Sequence, residues 1–175
     1  MILGMTAASY TYLHVLISLA GIVSGLVVMR GFLTARRFAR WTAFFLATTA
    51  VTSLTGFGFP FKGVTPGIVI GILSMILLTV AVVARYWFAM RGAWRPIYVV
   101  TAALSLYFNV FILIVQLFEK VSGLRALAPT QKEPPFAVVQ LFVVVVFVVA
   151  TVFAVKRFHP DLEQAPAETI QKRAA

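Results

Sequence analysis

The chain has 175 residues, 61% of them hydrophobic and 11% charged, with mean hydropathy +0.98. Soluble domains average about 45–50% apolar residues, so this composition excludes a water-soluble globule and requires surface that faces lipid. The formal charge is +10, but the basic residues lie between apolar runs; there they read as orientation signals and contacts for anionic lipid, not as a nucleic-acid footprint.

Uncharged runs cover 1–29, 41–61, 63–84, 96–118 and 134–155. Each is long enough for the roughly 20 residues that cross about 30 Å of hydrocarbon. The expected fold is all-α: a polytopic membrane helix bundle of five transmembrane helices near 8–30, 41–59, 66–88, 96–118 and 135–156. Residues 1–159 form one transmembrane domain, and 160–175 are read as a short polar tail without order. Proline supports these limits, because its missing N–H is tolerated in a first turn and not in a helix interior. Pro66, Pro96 and Pro135 fall at expected starts, and Pro60 and Pro160 fall just past expected ends.

Residues 1–9 carry no charged side chain, and the apolar run of helix one continues to Met29. That pattern reads as a retained span and not as a cleaved signal. His14, Ser18, Gly21 and Gly25 share one face of it, and Gly21-x-x-x-Gly25 permits close helix approach. Helix two carries Thr48, Thr52 and Thr55 as a hydroxyl stripe, and an aromatic turn-rich loop, 56–63, follows. Helix three holds Gly67-x-x-x-Gly71 and ends in Arg85-Tyr86-Trp87.

Helix four carries Asn109 and Gln116 seven residues apart, hence on one face, with Glu119 three residues further on. Amides in lipid need partners, so both are expected to point inward. Helix five is nearly all Val and Phe, and Gln140 is its lone strongly polar group.

Lys and Arg counts set the orientation. The connections after helices one and three and the segment after helix five carry eleven basic residues, against four (Lys62, Lys120, Arg125 and Lys132) in the other two loops. The N-terminus is therefore expected outside and the C-terminus in the cytoplasm. His14, Asn109, Gln116, Glu119 and Gln140 then lie at mid-to-outer depth on three helices, and are expected to surround a small ligand-binding pocket open to the outside.

No catalytic constellation is visible. The chain lacks cysteine, its two histidines belong to opposite faces, and its one Asp, Asp161, is in the tail. One His with one Glu is too few for a metal site. The cofactor stays unknown. The run Leu106-Tyr107-Phe108-Asn109-Val110-Phe111, then Gln116, Leu127-Ala128-Pro129-Thr130-Gln131 and Pro134-Pro135-Phe136, resembles a group of small uncharacterised bacterial inner-membrane proteins with no assigned activity. The resemblance implies a multi-pass protein of the bacterial inner membrane and transfers no catalytic residue.

The function expected is non-enzymatic: binding of a small apolar or amphipathic ligand, quinone- or lipid-like, in the outer pocket. The alternatives are an accessory or assembly subunit of a larger membrane complex, or a small transporter. Membrane lipids are the expected partners, with a protein partner or a second copy docking on the Gly21/Gly25 or Gly67/Gly71 face.

Overall fold

The computed structural model describes residues 4–60, 63 and 65–159. The expected tail 160–175 and Lys62 of the charge count lie outside these residues. Within them the regular structure is entirely helical: α1 (Ala7–Leu33), α2 (Ala39–Gly56), α3 (Pro66–Val82), α4 (Trp94–Lys120), α5 (Ser122–Leu127) and α6 (Pro134–Arg157). Ala7–Leu33, Gly67–Trp87, Trp94–Lys120 and Pro134–Arg157 are each long and apolar enough to cross a membrane. The protein is thus a multi-pass helical membrane protein.

Local chemistry sets the helix ends. The Thr6 hydroxyl accepts from Ser9 N at 3.2 Å and caps α1, and Thr65 caps α3 through Ile68 N at 3.4 Å, with Pro66 in the first turn. Pro134 and Pro135 begin α6 in the same way. At the end of α3 the ladder widens into a π turn over Val83–Trp87, where Phe88 N reaches Val83 O at 3.0 Å.

Helix α4 starts at Trp94, two residues earlier than expected, so Pro96 sits inside its first turn. The segment between α4 and α6, expected to be a loop, contains the extra six-residue helix α5.

Helix α4 is the central element. Tyr98 near its start is fully buried, edge-on to Phe32 of α1 at 5.4 Å and tilted against Phe158, which follows α6, at 6.4 Å. Its hydroxyl accepts from Arg85 Nη1 at 3.3 Å and hydrogen-bonds the Thr42 side chain of α2. All five long helical segments therefore meet around one tyrosine.

Further along, Gly25 of α1 faces Leu106 and Phe45, and Gly21 faces Thr48, Thr49 and Asn109. The small-residue face of α1 is taken up by α2 and α4 of the same chain. On α3, Gly71 lies against the Phe57 ring, whereas Gly67 is exposed.

These pairings run 21 with 109, 25 with 106 and 32 with 98, so α1 and α4 are antiparallel. The start of α1, the end of α4 and the start of α6 share one end, here the Tyr10 end. The opposite, Tyr98 end carries most of the arginines. Helix α6 is the least covered span, with 6% of its apolar window buried. Its inward stripe runs through Phe136, Gln140, Phe147 and Ala154, and its Val-rich remainder faces outward.

Candidate functional site

The polar groups of the Tyr10 end fall into three separate arrangements. The first joins α1 to α2. Tyr10, only 2% exposed, donates its hydroxyl to Thr55 O at 2.7 Å. Four residues on, His14 Nδ1 lies 2.8 Å from the Thr55 hydroxyl.

That hydroxyl has one proton, and two carbonyls of its own helix compete for it, Val51 O at 2.7 Å and Thr52 O at 3.1 Å. When it donates to its own helix it accepts from the imidazole, and His14 then carries its proton on Nδ1. In that tautomer Nε2 is left as a free acceptor, with no partner among the described residues. Phe59 packs edge-on against both rings, 5.0 Å from Tyr10 and 5.1 Å from His14. The imidazole is thereby held in one orientation, half-buried, with Nε2 unused.

The second arrangement lies deeper. Asn109 Nδ2 donates to Thr49 Oγ1 at 3.1 Å, and Thr49 is fully buried. Asn109 thus points inward as expected, and it ties α4 to α2 beside Gly21. In the third arrangement Gln140 is 9% exposed and donates Nε2 to Phe111 O at 3.3 Å, while its Oε1 is buried without a donor. A buried unpaired carbonyl costs roughly 1–3 kcal/mol, so Oε1 is an unmet acceptor enclosed in the contact between α4 and α6.

Gln116 and Glu119 are placed differently. Both are exposed, Gln116 makes no hydrogen bond among the described residues, and Glu119 pairs only with Lys120 at 3.0 Å. Seven residues do return to nearly the same helix face, but the covered face narrows along α4. Near its end only the side bearing Ile114 and Phe118 stays buried, against Ala128 and Phe136. The Asn109 stripe consequently emerges at Gln116. A cleft of about 380 Å³ includes Glu119 and none of the other four candidates.

The segment that closes this end is tightly built. Gln131 adopts φ 58° and donates Nε2 to Val115 O at 3.1 Å. The Glu133 carboxylate collects the Thr130 hydroxyl at 2.8 Å, Thr130 N at 3.2 Å and Lys132 N at 3.0 Å. Desolvation pushes the Glu133 carboxyl up, but hydrogen bonds from Thr130, from its own backbone and from Lys132 outweigh it, and the group titrates below the ordinary carboxylate range.

The residues that sequence reasoning missed here are Tyr10, Thr49, Phe59, Gln131 and Glu133. Tyr10 was within reach, because it stands one turn before His14 on the same face. Thr49 was hidden by its neighbours in a run of hydroxyls. Among the described residues no three His, Cys, Asp or Glu side chains gather as a metal site. No family model matches this chain, and no curated protein or solved structure matches it.

Proposed function

We propose that this is a five-span protein of the bacterial inner membrane, N-terminus outside, which binds an amphipathic ligand at the outer end through His14. Helix α2 would be the fifth span. It has 18 residues, about 27 Å at 1.5 Å per residue, and Trp41, Phe44, Val51 and Leu54 form an exposed apolar stripe along it. Arg30, Arg36, Arg37, Arg40, Arg85, Arg91 and Arg95 crowd the Tyr98 end, which the excess of positive charge assigns to the cytoplasm.

The observation that carries the ligand reading is the placing of His14, whose Nδ1 is engaged by the Thr55 hydroxyl while Nε2 has no partner among the described residues. That Nε2 is a preorganised hydrogen-bonding group roughly 10 Å along α1 from the helix start, within the outer leaflet of this arrangement. With its proton on Nδ1, His14 selects a ligand that donates, and a quinol or a lipid headgroup hydroxyl fits.

The test is native mass spectrometry of the protein gently extracted from its own membrane, comparing wild type, His14→Phe and His14→Ala. Retention of a hydroxyl-bearing lipophilic molecule is expected to fall about tenfold in both variants, the worth of one buried hydrogen bond of about 1–1.5 kcal/mol. His14→Phe keeps a ring against Phe59 and guards against misfolding. Equal retention in all three samples would remove His14 from the site. A stoichiometric protein partner in place of a small molecule would favour the accessory-subunit alternative.

A further inference from the structure

Independently of His14, we propose that the cleft at the end of α4 is a binding site for the phosphate of an anionic phospholipid. The cleft, about 380 Å³, lies between the last turn of α4, the short helix α5 and the 129–131 turn. Two cations, Lys120 and Arg125, line it against one carboxylate, Glu119. Lys120 neutralises Glu119 at 3.0 Å. Arg125 has no ion-pair partner among the described residues, so the cleft keeps one uncompensated guanidinium. A guanidinium presents a planar fork that matches two phosphate oxygens.

The opposite wall is rigid for a stated reason. Thr130 is held by the Glu133 carboxylate, and Gln131 by Val115 O, in a left-handed conformation that a non-glycine residue adopts only when its surroundings impose it. Thr130 has spent its donors on Glu133, so the wall shapes the cleft and the cations supply the attraction.

The surroundings decide between a lipid and a free anion. Leu127 is 58% exposed, Val121 44% and Leu117 39%; Leu117 on α4, Val121 between the two helices and Leu127 on α5 are close along the chain to the lining residues Phe118, Lys120 and Arg125. Such residues at the end of a spanning helix belong at the boundary between acyl chains and headgroups. That places Arg125 and Lys120 at the level of lipid phosphates, beside Leu127 and Val121, which can cover an acyl chain. A soluble phosphate would meet the cations but gain nothing from the apolar rim.

The experiment is native mass spectrometry of the full chain released from nanodiscs of phosphatidylcholine doped with phosphatidylglycerol. The wild type is expected to retain phosphatidylglycerol in preference, and Arg125→Gln to weaken that retention about fivefold, the worth of one basic residue at an anionic surface. Arg125→Lys keeps the charge and loses the fork, and should fall between the two. Arg125 is exposed, so a thermal melt in detergent is expected to be unchanged for both variants. Equal retention of the two lipids by the wild type, or undiminished preference in a folded Arg125→Gln, overturns the proposal. So does inorganic phosphate that competes as well as phosphatidylglycerol, since the anion would then be a soluble one.

Discussion

Tyr98→Ala lowers the stability of the bundle by about 2–4 kcal/mol, the largest single-residue effect expected in this chain. The side chain is fully buried and touches Phe32 and Phe158, while its hydroxyl serves Arg85 and Thr42. In a membrane the unfolded helices stay in lipid, so little is lost by transfer to water. The cost is the dispersion contact forfeited around the void and the two polar groups left without a partner. Tyr98→Phe separates these contributions. It keeps the ring and removes the hydroxyl, and is expected to cost only about 1 kcal/mol. Reversible unfolding in mixed micelles measures both, and an alanine variant no weaker than the phenylalanine variant would show that the ring fills no essential space.

Gly25→Leu is expected to lower stability by at least about 1–3 kcal/mol through overpacking. A Cβ at position 25 would stand 2.5 Å from Leu106 Cδ1 and 2.8 Å from the Phe45 ring, and both partners are about 1% exposed. Neither can swing away without disturbing the core between α1, α2 and α4. The control is Gly67→Ala, where a new Cβ meets only Thr65 Oγ1 at 3.8 Å. There the added methyl improves helix propensity and is expected to be neutral or slightly stabilising, by up to about 1 kcal/mol. The same micelle unfolding series reads both. Equal behaviour of the two glycine variants would deny that α1 is seated on α4 through Gly25.

These two residues also show what could be read in advance. The small-residue face of α1 was legible, because a spacing of four leaves a flat stripe wherever the chain is helical. Its partner was not: a glycine stripe serves an internal neighbour and a second chain equally well, and only the pairing of Gly25 with Leu106 and Phe45 decides between them. Tyr98 gave no signal, since an aromatic near the end of a span is ordinarily an interface anchor.

Four of the five expected spans were legible, because unbroken apolar length and proline position are one-dimensional properties. Helix α5 escaped because six residues carry too short a pattern. At the candidate site, Asn109 was correctly read as pointing inward, while Gln116 was placed on the right face of α4 but at a depth where that face is no longer covered. Coverage depends on how neighbouring helices splay, which periodicity along a single helix does not record.

In the proposed arrangement five spans put the polar Tyr10 end outside, and α2 is the span on which this turns. The chain has no cysteine, so single introduced cysteines report without background. Labelling with a membrane-impermeant maleimide on intact cells is the direct measurement, at Thr34→Cys before α2, Pro60→Cys after it and Ser122→Cys at the start of α5. All three positions are exposed. The account requires Pro60→Cys and Ser122→Cys to label from outside, and Thr34→Cys to label only after permeabilisation. Labelling of Thr34→Cys and Pro60→Cys from the same side would show that α2 does not cross. The fully inverted pattern would place His14 and the Lys120/Arg125 cleft in the cytoplasmic leaflet and contradict the account.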